Sequence, residues 1–291
     1  MLFSTHTQRL VKEYGTVKGI EMLAEAGFPA IDLSMYKATG ELFEDGYEAV
    51  LEKLLSLAKE KGIVFHQAHA PYCSIDKYEA EAAPYMERAF EVAGRLGAKY
   101  IAVHPMYYPD RYRGFEREIF DMNVEYYTSL LPLAEKWGLK IAAENMWIYH
   151  PLTKKVLPSF LADPHEMVRL FEAVNCPEHF TMCLDIGHAA ISGYEPDYCI
   201  KVLGKSVLGC IHAHDVDYTV DCHTLPGVRM VNWDAVCSSL ATIGYKGSFN
   251  LEADAFYNGF GTDFFPTVAR FMADTARNLA EKTDRYRTKE I

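Results

Sequence analysis

The chain has 291 residues, 49% hydrophobic and 24% charged, a balance that buries a core and excludes disorder, collagen-like repeats and a disulfide scaffold. Its 29 basic against 40 acidic side chains leave a net charge of −11, a field that repels phosphate backbones, so nucleic acid is not an expected partner. Seven cysteines without a Cys-x-x-Cys pair, an N-terminus unlike a signal peptide and no apolar run near ~18 residues lead us to expect a cytoplasmic protein with no membrane contact.

In chain order, short β-like runs alternate with amphipathic helical stretches. The runs are 2–5, 30–35, 63–69, 100–104, 140–145, 180–187, 208–214 and 247–253. The helical stretches are 17–27, 47–62, 83–97, 122–138, 164–175, 197–204, 233–244 and 266–282. Most runs are too apolar for half-solvated edges, which is how strands covered on both faces of a parallel sheet read. Several helical stretches end in glycine (Gly27, Gly62, Gly97, Gly138 and Gly244), the residue suited to a left-handed C-cap. Eight strands, each followed by a helix, predict a single (β/α)8 TIM barrel. A doubly wound sheet also alternates, but it carries a Gly-rich phosphate turn that is absent here. No linker, low-complexity segment or charge block divides residues 1–291, which read as one catalytic domain.

Polar residues end six consecutive predicted strands: His69, His104, Glu144, Asp185, His212 and Glu252. Their spacing of about one βα unit places them around the C-terminal rim, where such barrels hold their active sites. Carboxylates and imidazoles together suit one divalent ion, Mn²⁺, Mg²⁺, Co²⁺ or Zn²⁺. Singly, each has a plainer explanation, as a hydrogen-bonded histidine or a helix-capping acid. The concurrence of Glu144, Asp185, His212 and Glu252 on four successive strands favours a shared metal. Asp185-x-x-His188 sets an imidazole one short turn beyond a carboxylate. His212-Ala-His214-Asp215 offers two imidazoles on the same side, and strand alternation does not choose between them. Trp147, in the aromatic loop 145–158, is a candidate cover for the apolar face of a sugar, or equally a packed anchor. Arg229 is a candidate for a phosphate or carboxylate, although exposed ion pairing is its plainer role.

The segments HAP (69–71), HP (104–105), EN (144–145), DIGH (185–188), HAHD (212–215), DCHTLPG (221–227) and LE (251–252) together resemble the xylose isomerase-like TIM barrel superfamily. That group contains sugar (phosphate) isomerases and epimerases, inosose-type dehydratases and endonuclease IV. The resemblance implies that Glu144, Asp185, His212 and Glu252 bind one divalent metal, which selects His212 over His214. It also implies that Glu144 and Glu252 form the catalytic acid/base pair and that His188 contacts substrate. The activity implied is a metal-dependent sugar isomerase or epimerase acting on a ketose or similar polyhydroxy carbonyl compound. Chelation of a carbonyl oxygen and its neighbouring hydroxyl acidifies the intervening C–H and stabilises an enediolate, and two glutamates exchange the proton.

His69, His104, His223, Trp147 and Tyr72 complete the substrate-binding candidates, with a second metal at His69, His104 and His223 as the alternative role for those histidines. Other activities share the same residues. An inosose-type dehydratase would use the same metal and base. An endonuclease IV-like abasic-site nuclease would hold a zinc cluster through His69, His104, Glu144, Asp185, His188, His212, Asp221, His223 and Glu252. The net charge, and the TLPG that follows His223 as in sugar isomerases, rank it second. A non-catalytic carbohydrate-binding barrel would keep the rim. The expected partner is a small sugar, and the late helices leave a homo-oligomer open.

Overall fold

The computed structural model describes residues 1–109, 114–150 and 152–289. Strand β1 (Phe3–His6) leads through α1 (Gln8–Tyr14) and α2 (Thr16–Ala26) to β2 (Ala30–Ser34) and α3 (Tyr47–Lys61). Next come β3 (Val64–His69), α4 (Ile75–Glu81), α5 (Ala83–Arg95), β4 (Tyr100–Val103), α6 (Glu116–Trp137) and β5 (Lys140–Glu144). An antiparallel hairpin, β6 (Trp147–Tyr149) and β7 (Val156–Pro158), precedes α7 (Pro164–Val174), β8 (Phe180–Asp185), α8 (Ile186–Ile191) and α9 (Pro196–Val207). Then follow β9 (Leu208–His212), α10 (Trp233–Thr242), β10 (Phe249–Leu251) and α11 (Phe265–Lys289).

The parallel strands run in the order β10-β1-β2-β3-β4-β5-β8-β9. The ring closes at Ala213, whose N–H donates to the Asn250 carbonyl (2.8 Å) and whose carbonyl accepts from Glu252 N–H (3.1 Å). This is the (β/α)8 barrel that the alternating pattern predicts, and the eight expected strands and their helices fall in the expected order. The five glycines expected as C-caps all take positive φ, from 67° to 101°. Elements without a period of their own are additions: α1, α4, α8 and the hairpin. Helix α6 begins at Glu116, six residues before the expected start. Among the described residues no helix is long and apolar enough to cross a membrane.

Apolar helix faces, such as Leu23 of α2, Leu54 of α3 and Phe90 of α5, are fully buried against the strands. The barrel interior instead carries a polar layer. Ser4 Oγ donates to Asn250 Oδ1 (2.7 Å), Asn250 Nδ2 to Asp32 Oδ2 (2.7 Å), and Ser248 Oγ to Gln67 Oε1 (3.1 Å). Buried polar groups are tolerable when paired in this way, and the layer forms the floor beneath the rim.

One carboxylate holds the long loop after β9. Asp215, fully buried, accepts from the backbone N–H groups of Gly227 (2.7 Å), Arg229 (3.0 Å) and Val231 (3.0 Å) and from Trp233 Nε1 (3.1 Å). Removing it strands these four donors and the Val216 N–H (3.0 Å), and a buried donor left without an acceptor costs about 1–3 kcal/mol. We expect Asp215→Ala to lower unfolding free energy by about 3 kcal/mol or more, read by urea denaturation. A loss below about 1 kcal/mol would show that the loop is held by something else.

Candidate metal centre

Glu144 and Asp185 are the last residues of β5 and β8, His212 ends β9, and Glu252 follows β10. One ligand atom from each lies within 4.8 Å of the others. All four residues are buried, none more than 4% exposed. Asp185 Oδ2, Glu252 Oε2 and both ring nitrogens of His212 have no hydrogen-bond partner. His212 Nδ1 is 2.7 Å from Glu252 Oε2 and 3.3 Å from Glu144 Oε2, yet neither approach has hydrogen-bond geometry. Buried, unpaired acceptors that converge without bonding one another are costly unless a cation satisfies them together. Three carboxylates and one imidazole are also a donor set that divalent ions accept. The residues therefore fit the metal that the sequence implies. Behind His212, Asp32 Oδ2 lies 3.6 Å from Nε2, a carboxylate placed to orient the ring.

Two further groups flank the central one. His69, His104 and Glu144 form the first; His188, His214, Asp221 and His223 form the second, each within the same 4.8 Å limit. The trio His69, His104 and His223 is thus divided, because the Asp215-anchored loop carries His223 to the far side. Three imidazoles are aimed by main-chain carbonyls. His69 Nδ1 donates to Ala70 O (3.1 Å), His188 Nδ1 to Asn145 O (3.0 Å) and His223 Nδ1 to Glu252 O (3.0 Å). A carbonyl only accepts, so Nδ1 carries the proton and Nε2 is left to face the carboxylates. His214 stacks on His223 at 4.1 Å with 10° between the rings. It fills the space over Gly187, where a Cβ would come within 2.0 Å of the imidazole. The glycine of Asp-Ile-Gly-His is a steric requirement of that ring.

The carboxylates hold different protonation states. Burial works to raise Glu144, but His212 and His104 hold it well below the ordinary carboxylate range. Burial pushes Glu252 up to about 8, with Asp32 and Asp254 adding to the rise and His6 opposing it. Against the pull of burial, Glu144 and Asp32 raise His212 to about 10, and Asp185 and Asp221 raise His188 to about 10. Burial lowers His69 to about 3.

Over the rim lies a cavity of about 730 Å³ lined in part by Glu144, Glu252, His104, His188, His223, Tyr72 and Trp147. The Tyr72 ring sits 3.9 Å from that of His104, and the Trp147 ring 6.3 Å from that of His188. His69, with no exposed surface, stands behind Glu144 rather than in the cavity wall. Arg229 is exposed, and its backbone N–H belongs to the Asp215 anchor.

Sequence reasoning missed three contributors, and the resemblance set a fourth, His214, aside in favour of His212. Tyr36 donates its hydroxyl to Glu252 Oε1 and packs edge-on against His69 at 4.1 Å. Asp32 and His214 are described above. His6 pairs with Asp254 at 2.9 Å, and although burial opposes its charge, that acid raises it to about 9. His6 ends β1, so strand-end counting begun at the first strand would have marked it; Asp32 is signalled only as a charge inside an apolar run, and Tyr36 carries no such signal.

In the metal-free protein His212 and Glu252 hold protons at neutral pH, and an ion must displace them to bind. Affinity should therefore climb as pH rises from 6 toward 8, by up to about tenfold per unit for each proton displaced. Calorimetric titration of Mn²⁺ in buffers of different ionisation enthalpy should count about one or two protons released per ion. A pH-independent affinity with no proton release would contradict this charge assignment.

The sequence profile of the xylose isomerase-like TIM barrel family matches residues 20–271. A curated relative, the uncharacterized protein MJ1311 of Methanocaldococcus jannaschii, is 27% identical over 192 residues, 63% of this chain and 62% of that protein. The chain thus aligns with less than two thirds of that relative's length. Among solved structures, a D-tagatose 3-epimerase-like protein superposes with a TM-score of 0.76 at 20% identity, over 100% of this chain and 99% of the other. D-Psicose 3-epimerase with D-tagatose, from Clostridium cellulolyticum H10, gives 0.74 at 18% identity over 96% and 99%. The IolI protein with a bound zinc atom gives 0.71 at 18% identity over 98% and 99%.

Proposed function

Because the chain belongs to the xylose isomerase-like TIM barrel family, we propose that it is a divalent-metal-dependent sugar isomerase or epimerase acting on a ketose or similar polyhydroxy carbonyl compound. The observation that carries this reading is the convergence of Glu144, Asp185, His212 and Glu252, of which the two glutamates line the cavity and meet opposite electrostatic surroundings. The sugar epimerases among the structural neighbours support the same class.

When bound, the divalent ion supplies Lewis acidity toward a carbonyl and the hydroxyl beside it. The side chains account for the rest. Glu144, kept ionised by His212 and His104, is the base that takes the proton from the carbon between those oxygens. Glu252 would stand as the group that returns a proton: burial disfavours its charge, and the Tyr36 hydroxyl holds its Oε1. Pairs of acids pushed apart by environment are how one site runs both steps. His188, fixed through Nδ1, presents Nε2 to a substrate hydroxyl. Tyr72 and Trp147 supply flat apolar walls for the C–H faces of the sugar. Dehydration of an inosose begins with the same proton removal and differs in losing a hydroxyl instead of regaining a proton.

With Mn²⁺ and a panel of ketoses and inososes, we expect epimer or isomer interconversion by the wild type. Glu144→Gln and Glu252→Gln should each cut kcat by about 10²-fold or more. No turnover of any panel member, or turnover that survives both substitutions, would sink the assignment.

A second reading, an abasic-site endonuclease, is favoured by one observation: the two flanking groups complete three candidate ion sites around one rim. It requires two or three metals per chain by elemental analysis and nicking of an abasic duplex that strengthens at low salt. One metal per chain and no nicking would leave the sugar enzyme alone.

A further inference from the structure

We infer that the opposite, N-terminal end of the barrel is a binding site for a compact polyanion, a small molecule with two or more phosphate or carboxylate groups. A groove of about 370 Å³ there is lined by Lys99, Lys140, Lys205 and Lys246, with Thr181 and Ser206 also in its wall. The volume suits a small ligand. Lys99 precedes β4 and Lys140 opens β5; Lys205 lies in the last turn of α9 before β9, and Lys246 stands ahead of β10. Strand β8 separates the first pair from the second, so the cations form two pairs on opposite sides of the groove. Two anionic groups on one molecule match that layout better than one.

The charge is uncompensated. Some lysines elsewhere have acidic partners: Lys18 with Glu21, Lys61 with Glu25, Lys136 with Glu87, Lys201 with Asp197 and Lys282 with Asp234. None of these four has a carboxylate partner among the described residues, and no carboxylate lines the groove. Lys140 Nζ instead donates to the Pro177 carbonyl, and Lys99 lies 5.0 Å over the Tyr100 ring. In a chain of net charge −11, gathering four like charges against neutral walls costs Coulomb energy that a bound anion repays. His66, beside Tyr100, registers the field: burial and the Lys99 charge push it down to about 4. Gly209, also in the lining, packs so closely on Thr181 that a Cβ would meet it at 2.5 Å.

The test is calorimetric titration of inorganic pyrophosphate, and separately of citrate, into the full chain at physiological ionic strength. We expect saturable one-to-one binding of at least one probe with Kd below about 1 mM, and the tighter probe tells phosphate from carboxylate chemistry. The double variant Lys205→Gln/Lys246→Gln should weaken it about tenfold or more with an unchanged melting profile. A Lys18→Gln/Lys201→Gln control should bind like the wild type. No saturable binding of either probe, equal binding by the groove variant (chelation at the metal centre), or binding of a polynucleotide alone would overturn the inference.

Discussion

The rim depends on the burial of negative charge. Asp32, Glu144, Asp185 and Glu252 are at most 4% exposed and gather at one end of the barrel. Each buried carboxylate costs several kcal/mol unless something positive or proton-donating answers it. The answers are imidazoles close to the acids and, on Glu252 and His212, protons that give way to a divalent ion for which the unpaired atoms are arranged. The surrounding architecture serves that balance. The polar layer beneath satisfies one Asp32 oxygen through Asn250, main-chain carbonyls aim three imidazoles, and Asp215 pins the loop that delivers Asp221 and His223.

The division of labour between the two glutamates follows from the neighbours each meets. Glu144 has four imidazoles within 3.6 Å, those of His69, His104, His188 and His212. Glu252 has one, His212, with a tyrosine hydroxyl on its other oxygen and the acids Asp32 and Asp254 nearby. Burial is almost the same for both, so it does not separate them. The charge of the neighbours does: His212 and His104 favour the ionised form of Glu144, whereas Asp32 and Asp254 oppose that of Glu252. The difference sends one side chain toward the base and the other toward the acid.

Much of this was legible in the sequence because a barrel repeats. Apolar strands at regular intervals mark the ring, and a polar residue at the end of a strand must lie on the rim, so Glu144, Asp185, His212 and Glu252 could be grouped without coordinates. What escaped depends on loops. Tyr36 reaches Glu252 across 216 positions of chain from a segment with no period. The separation of His223 from His69 and His104 is set by a loop whose shape rests on four hydrogen bonds to Asp215. The lysine groove escaped for a related reason: its members are far apart in sequence, and only ring closure brings the starts of distant strands together.

The His-Ala-His repeat shows how strand geometry builds more than one tier from a single face. Residues two apart on an extended strand point the same way and are offset by roughly 6.6 Å along it. His212, the lower of the pair, reaches the floor group with Glu144 and Glu252, while His214 stands one tier higher, against Asp185 at 3.0 Å and Asp221 at 3.7 Å. Alternation therefore gives no ground for choosing between them as rim residues, and the structure requires no choice: depth along the strand assigns each to its own group. Asp185 touches both tiers, with one oxygen facing His214 and the other unpaired toward the floor. A change in charge at the upper group must then be felt by a ligand of the lower one, and the carboxylate on β8 is the link through which the two are coupled.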